Sequence, residues 1–126
     1  MKLEVGMYVR FKDKRGIEYI RKIVEIPKDN RYASLYLDKD ANYSKGLSLK
    51  NVIKASYNII DILEVGDYVN GDKVNEVVIN EFSSYVILEG IGHYVEDLET
   101  VEAKDIETIV TKEQFEQMSY KVKESR

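Results

Sequence analysis

Residues 3–11 read LEVGMYVRF and residues 63–71 read LEVGDYVNG. A phrase written twice in 126 residues restricts the chain to folds that can be assembled from two copies of one small unit. The match continues in the same order. IRKIVEI (Ile20–Ile26) aligns with VNEVVIN (Val74–Asn80), and LSLKNVIKAS (Leu47–Ser56) aligns with VEAKDIETIV (Val101–Val110), both at an offset of 54 against 60 for the opening phrase. A shorter first turn in the second copy accounts for the six-residue difference, with KDKRGIEY shrinking to almost nothing between Val69 and Val74.

Each copy carries β patterning. In MYVRF, Tyr8 and Arg10 alternate with Met7, Val9 and Phe11, the period of a strand. KDKRG is a turn ending at Gly16, IEYIRKIVEI is a long β-branched strand, and the only proline, Pro27, stops it. YASLYL sets Ala33, Leu35 and Leu37 on one face and Tyr32, Ser34 and Tyr36 on the other. LSLKNVIKAS opens with a helical turn capped by Ser48 and returns to strand. In the second copy Asn70-Gly71 is a tight-turn signal, and DKVNEVVIN and SYVILEG form a hairpin around EFSS. TKEQFEQMSY is the one helical segment, with Thr111 as cap, Glu113 or Gln114 near the capping-box position, and Phe115 and Met118 on one face. YKV is read as a final strand.

The predicted fold is therefore mainly β: two tandem small SH3-like β-barrel units related by internal duplication, residues 1–62 and 63–126, with a short C-terminal helix. Units of about 55–60 residues bury little core alone. The two are expected to pack on each other, gaining about 25 cal/mol for each Å² of apolar surface removed from water. A single mixed sheet with a pseudo-twofold axis is the alternative.

Charge divides along the same line. Residues 1–62 carry 13 Lys/Arg against 8 Asp/Glu, and residues 63–126 carry 6 against 15, so the halves stand at +5 and −9. That split opposes a uniform nucleic-acid surface but permits a basic patch on the first half. It also permits a basic partner for the second half. The absence of cysteine excludes disulfides, a thiolate zinc site and a cysteine nucleophile, and fits a cytoplasmic setting. The N-terminus shows no signal-peptide pattern, and no apolar run is long enough to span a bilayer.

The runs KASYNIIDILEVGDYVNGDKVNEV and IETIVTKEQFEQMSYKV resemble a group of small, uncharacterised accessory proteins of Firmicute phages and prophages, over residues 51 to 122. The resemblance implies a protein that acts inside a bacterial host and supplies no catalytic residue. By analogy with small acidic phage proteins, it points to inhibition of host defence, an anti-CRISPR role included.

Catalytic chemistry is not marked. His93, the only histidine, has just Glu96 and Asp97 nearby as metal partners, and no phosphate-loop motif is present. Neither an enzyme nor a cofactor or metal site is expected. Two surfaces remain. Glu96, Asp97, Glu99, Glu102, Asp105 and Glu107 form an acidic run suited to a basic host protein through charge complementarity. Tyr19, Tyr32, Tyr36 and Tyr43 interleave with Arg21, Lys22, Arg31 and Lys45, which suits stacking of bases and neutralisation of phosphates. Tyr19, Arg21, Lys22, Arg31, Tyr32 and Tyr36 are the nucleic-acid candidates of that group. A third expectation is a virion assembly part, a homo-oligomer whose oppositely charged halves join head to tail.

Overall fold

The computed structural model describes residues 2–28, 34–38, 47–89, 99–120 and 122. His93, Arg31, Tyr32, Glu96 and Asp97 lie outside the described residues, as do Tyr43 and Lys45. The fold is mainly β, with two antiparallel five-stranded sheets, one of them a half-barrel, rather than a single mixed sheet.

The first sheet holds β1 (Tyr8–Lys12), β2 (Glu18–Glu25), β3 (Ser34–Leu37), β4 (Leu47–Ser48) and β5 (Val52–Ser56), in the order β4-β3-β2-β1-β5. The second holds β6 (Tyr68–Val69), β7 (Asp72–Ile79), β8 (Ser84–Leu88), β9 (Glu99–Glu102) and β10 (Ile109–Val110), in the order β10-β6-β7-β8-β9. Each sheet therefore flanks its first strand with its second and fifth. A 3-10 turn precedes the last strand in both, Leu49–Asn51 in one and Ala103–Asp105 in the other. Ser48 holds the N-cap position of the first turn, but its side chain makes no capping hydrogen bond.

Hydrogen-bond register corrects one part of the sequence alignment. Tyr8 pairs with Lys22 and Ser56, and Tyr68 pairs with Lys73 and Val110. Ile23 opposes Leu37 with a bulge before Glu25, and Val74 opposes Leu88 with a bulge before Glu76. Ile23 thus corresponds to Val74, an offset of 51 rather than 54. The first hairpin is shorter by nine residues in the second sheet, and three are regained before β9. Both alignments place β-branched residues together, and only the bulge and the ladder separate them.

The short hairpin follows from its turn residues. Asn70 and Gly71 both take positive φ, 53° and 89°, the geometry whose twist matches a two-residue hairpin. In the first sheet the longer turn is held by the Asp13 carboxylate, which accepts from the amides of Arg15 (2.9 Å) and Ile17 (3.1 Å).

Two cores result. Val9, Ile23, Leu35 and Leu47 bury against one another with Phe11 in the first sheet, and the matching Val69, Val74, Val86 and Val101 bury in the second with Leu88. The linker turn Ile59–Ile62, capped by the Asn58 side chain on the Ile60 amide, sends Ile60 and Ile62 into the second core. They lie on the N-terminal side of the division expected after residue 62. Ile20, on β2 of the first sheet, also reaches the second core. Helix α1 (Lys112–Met118) begins with a full capping box between Thr111 and Gln114. Phe115 stacks on Tyr68 at 4.2 Å between ring centroids, whereas Met118 stays exposed. Tyr120 and Val122 form no strand. Among the described residues no helix is long and apolar enough to cross a membrane.

Candidate functional site

Strand β1 has both faces covered. Val9 and Phe11 enter the first core, while Arg10, on the opposite face, is fully buried against the second unit. Its guanidinium forks onto the Asp67 carboxylate, with Nη1–Oδ2 at 2.6 Å and Nη2–Oδ1 at 3.1 Å. It also donates to Glu18, to the Ile62 carbonyl at 3.2 Å and to Glu113 at 3.4 Å. Asp67, itself fully buried, accepts in addition from the amides of Glu64 (2.8 Å) and Lys112 (3.1 Å). Glu64 in turn joins Lys54 of β5 (3.1 Å) and Lys112 (2.9 Å). Thr111 completes the seam by donating its hydroxyl to the Glu18 carbonyl at 2.6 Å. Burial alone opposes charge on Arg10, but its hydrogen bonds to Asp67 and Glu18 more than offset it and raise its pKa. Burial likewise opposes charge on Glu64, yet Lys112, Lys54 and Arg10 hold its pKa below the ordinary value. The Glu64 hydrogen bond raises the pKa of Lys112.

This network joins the outer face of β1 to the second unit, and a cleft opens beside it. One cavity, of about 350 Å³, is lined by Tyr8, Ile20, Ile59, Ile106 and Ile109, with Arg21, Lys22, Asp38 and Glu107 also on its wall. A second, of about 420 Å³, is lined by Tyr57, Asn58, Ala103 and Lys104 and shares Tyr8 and Ile59 with the first. The shared residues make the two one trough. Its apolar lining is mainly aliphatic, with the rings of Tyr8 and Tyr57. Its charges are of both signs: Arg21, Lys22 and Lys104 with Asp38 and Glu107.

The parts of the wall are individually held. Asp38 accepts from the Lys22 amide at 2.8 Å and returns its own amide to the Lys22 carbonyl at 3.0 Å. The Lys22 ammonium sits 5.7 Å from the centre of the Tyr8 ring. Asn70 shapes the opposite wall. Its side chain accepts from the amides of Glu107 (2.7 Å) and Thr108 (3.1 Å) and donates to the Asp105 carbonyl at 2.9 Å. Lys22, Lys104 and Glu107 form no ion pair among the described residues.

The residues singled out by sequence are distributed unevenly. Arg21, Lys22 and Glu107 meet in the trough although two were read as nucleic-acid candidates and one as an acidic interface residue. Arg21 directs its guanidinium to the Ile20 carbonyl (2.7 Å), 5.9 Å from the Tyr19 ring. Tyr19 lies against Phe11 with its hydroxyl held by Arg15 (3.0 Å) and Asp13 (3.3 Å), so its ring is not a free stacking platform. Tyr36 is half-buried on β3. Glu99 and Glu102 fall on opposite faces of β9, and Asp105 is exposed in the following turn. The described carboxylates therefore do not form one acidic face. Tyr8, Ile20, Ile59, Ile106 and Ile109 escaped the sequence reading because an isoleucine at a seam looks like one in a core. Comparison with protein-family models, curated proteins and solved structures gives no match.

Proposed function

We propose that this chain is a non-enzymatic phage or prophage accessory protein that binds a host protein, and that the seam trough is its recognition surface. The observation that carries this reading is the trough itself: an isoleucine-rich lining flanked by charged groups of both signs, drawn from both sheets and the linker. Apolar area removed from water supplies affinity there, and the mixed charges supply specificity. Inhibition of a host defence system, an anti-CRISPR role among them, is the outcome the phage resemblance favours. The matched strand orders, registers and cores support two SH3-like units derived from one by duplication.

Binding of nucleic acid through the first half is the weaker reading. Arg21, Lys22 and Lys104 share the trough with Asp38 and Glu107, a mixture of signs that suits a polypeptide better than a run of phosphates. The test is capture from host lysate on immobilised wild-type chain and on the Lys22→Glu/Lys104→Glu variant, each with and without nuclease. A partner held by the wild type, lost by the variant and indifferent to nuclease is expected. Capture unchanged in the variant, or abolished by nuclease, overturns the proposal.

A further inference from the structure

The geometry points to a short extended peptide segment as the ligand of the trough: one aliphatic side chain on the isoleucine lining, flanked by an acidic residue and a basic residue. This rests on the reading of the trough as a protein-recognition surface and names what that surface recognises. Three features select the class. The two cavities adjoin at Tyr8 and Ile59, which suits a chain that spans both rather than a compact molecule enclosed by one. The lining offers Ile20, Ile59, Ile106 and Ile109, branched aliphatic groups that match a leucine or valine by dispersion. The charged groups differ along the length. Asp38 and Glu107 stand on the first cavity with Arg21, whose guanidinium is turned to the Ile20 carbonyl, and Lys22, whose ammonium lies over Tyr8, while Lys104 is the one charged residue lining the second among those described. An acidic side chain therefore belongs near Lys104 and a basic one near Glu107 and Asp38, with the aliphatic anchor between them.

The experiment is a titration of the full ¹⁵N-labelled chain, followed by amide resonances. The probes are two hexapeptides, acetyl-Lys-Ala-Leu-Ala-Glu-Ala-amide and acetyl-Ala-Glu-Ala-Leu-Ala-Lys-amide, because either chain direction satisfies the charges. One of them is expected to shift Tyr8, Ile20 to Lys22, Tyr57 to Ile59 and Ala103 to Ile109, and to lose affinity about tenfold or more when its leucine becomes serine. The exposed pair Lys104→Glu/Glu107→Lys is expected to transfer preference to the peptide with its two charges exchanged. The inference fails if neither peptide shifts those resonances at millimolar concentration, if the serine peptide binds equally, or if hexathymidylate shifts them instead. Should lysate capture still depend on Lys22 and Lys104 while both peptides are silent, the ligand class is wrong and the recognition surface stands. Should a peptide bind while capture ignores those lysines, the ligand class stands and the proposed function falls.

Discussion

Replacing Arg10 with methionine tests the seam most directly. Methionine keeps much of the stem volume and removes the guanidinium, leaving the Asp67 carboxylate buried with two backbone amides and no cation. Removing one member of a buried ion pair costs about 3–5 kcal/mol, since the other charge stays uncompensated. For a chain of this length each kcal/mol lowers Tm by roughly 4 °C, so a fall of roughly 12–20 °C is expected. Asp67→Asn is milder, because Arg10 retains Glu18 beside it and Asn keeps an oxygen for one amide; about 1–3 kcal/mol is expected. The double variant carries neither charge and should be less destabilised than the sum of the singles by about 2 kcal/mol. Urea unfolding of the four proteins, with the denaturant slope checked for constancy, gives the cycle. A methionine variant within 1 kcal/mol of wild type, or strictly additive singles, would refute the assignment of the seam to this pair; the threshold is about the net worth of one ordinary hydrogen bond.

Three further outcomes follow from the same geometry. Ile20→Ala should cost about 2–4 kcal/mol and, although Ile20 lies on the first sheet, should couple in a urea double-mutant cycle with Ile60→Ala of the second core. Asn70→Ala should cost more than Asn70→Gly, because both lose the bonds to residues 105, 107 and 108 while only alanine also strains the backbone at φ 53°; equal urea midpoints would remove that account. Glu64 gives an acid limb: its folded pKa lies below the ordinary 4.5, so its stabilisation is complete above that value and disappears as pH falls through the lower folded one. Urea midpoints between pH 7 and pH 3 should therefore fall less steeply in Glu64→Gln than in wild type.

Legibility differed from element to element for physical reasons. The Asn70-Gly71 turn, the strand stop before Pro27 and the Thr111 cap were readable because each is a local conformational demand met by one residue type. The alignment of β2 with β7 slipped by three residues because β-branched residues recur along both strands, and only the bulge pins the register. The burial of Arg10 was not legible because alternation reports that two faces differ, not that both are covered. The +5 and −9 halves were visible, but part of that contrast is satisfied within the chain, where Arg10 and Lys54 meet Glu64, Asp67 and Glu113. That leaves less of it for a head-to-tail partner.

The two units match most closely in their cores and diverge where they meet. At corresponding places the first carries Met7 and Arg10 and the second carries Asp67 and Asn70. Arg10 leaves its own sheet to reach Asp67, whereas Asn70 turns back to hold residues 105 to 108 of its own. Exchange the pairs and the seam loses its cation while the trough loses the bracket behind Glu107. The trough draws Tyr8, Lys22 and Asp38 from the first unit, Tyr57 to Ile59 from the linker, and Lys104, Ile106 and Glu107 from the second. Neither unit alone contains it. The Arg10–Asp67 pair joins the same two units whose residues line the trough, so loosening the seam should weaken the proposed peptide binding before it unfolds either sheet.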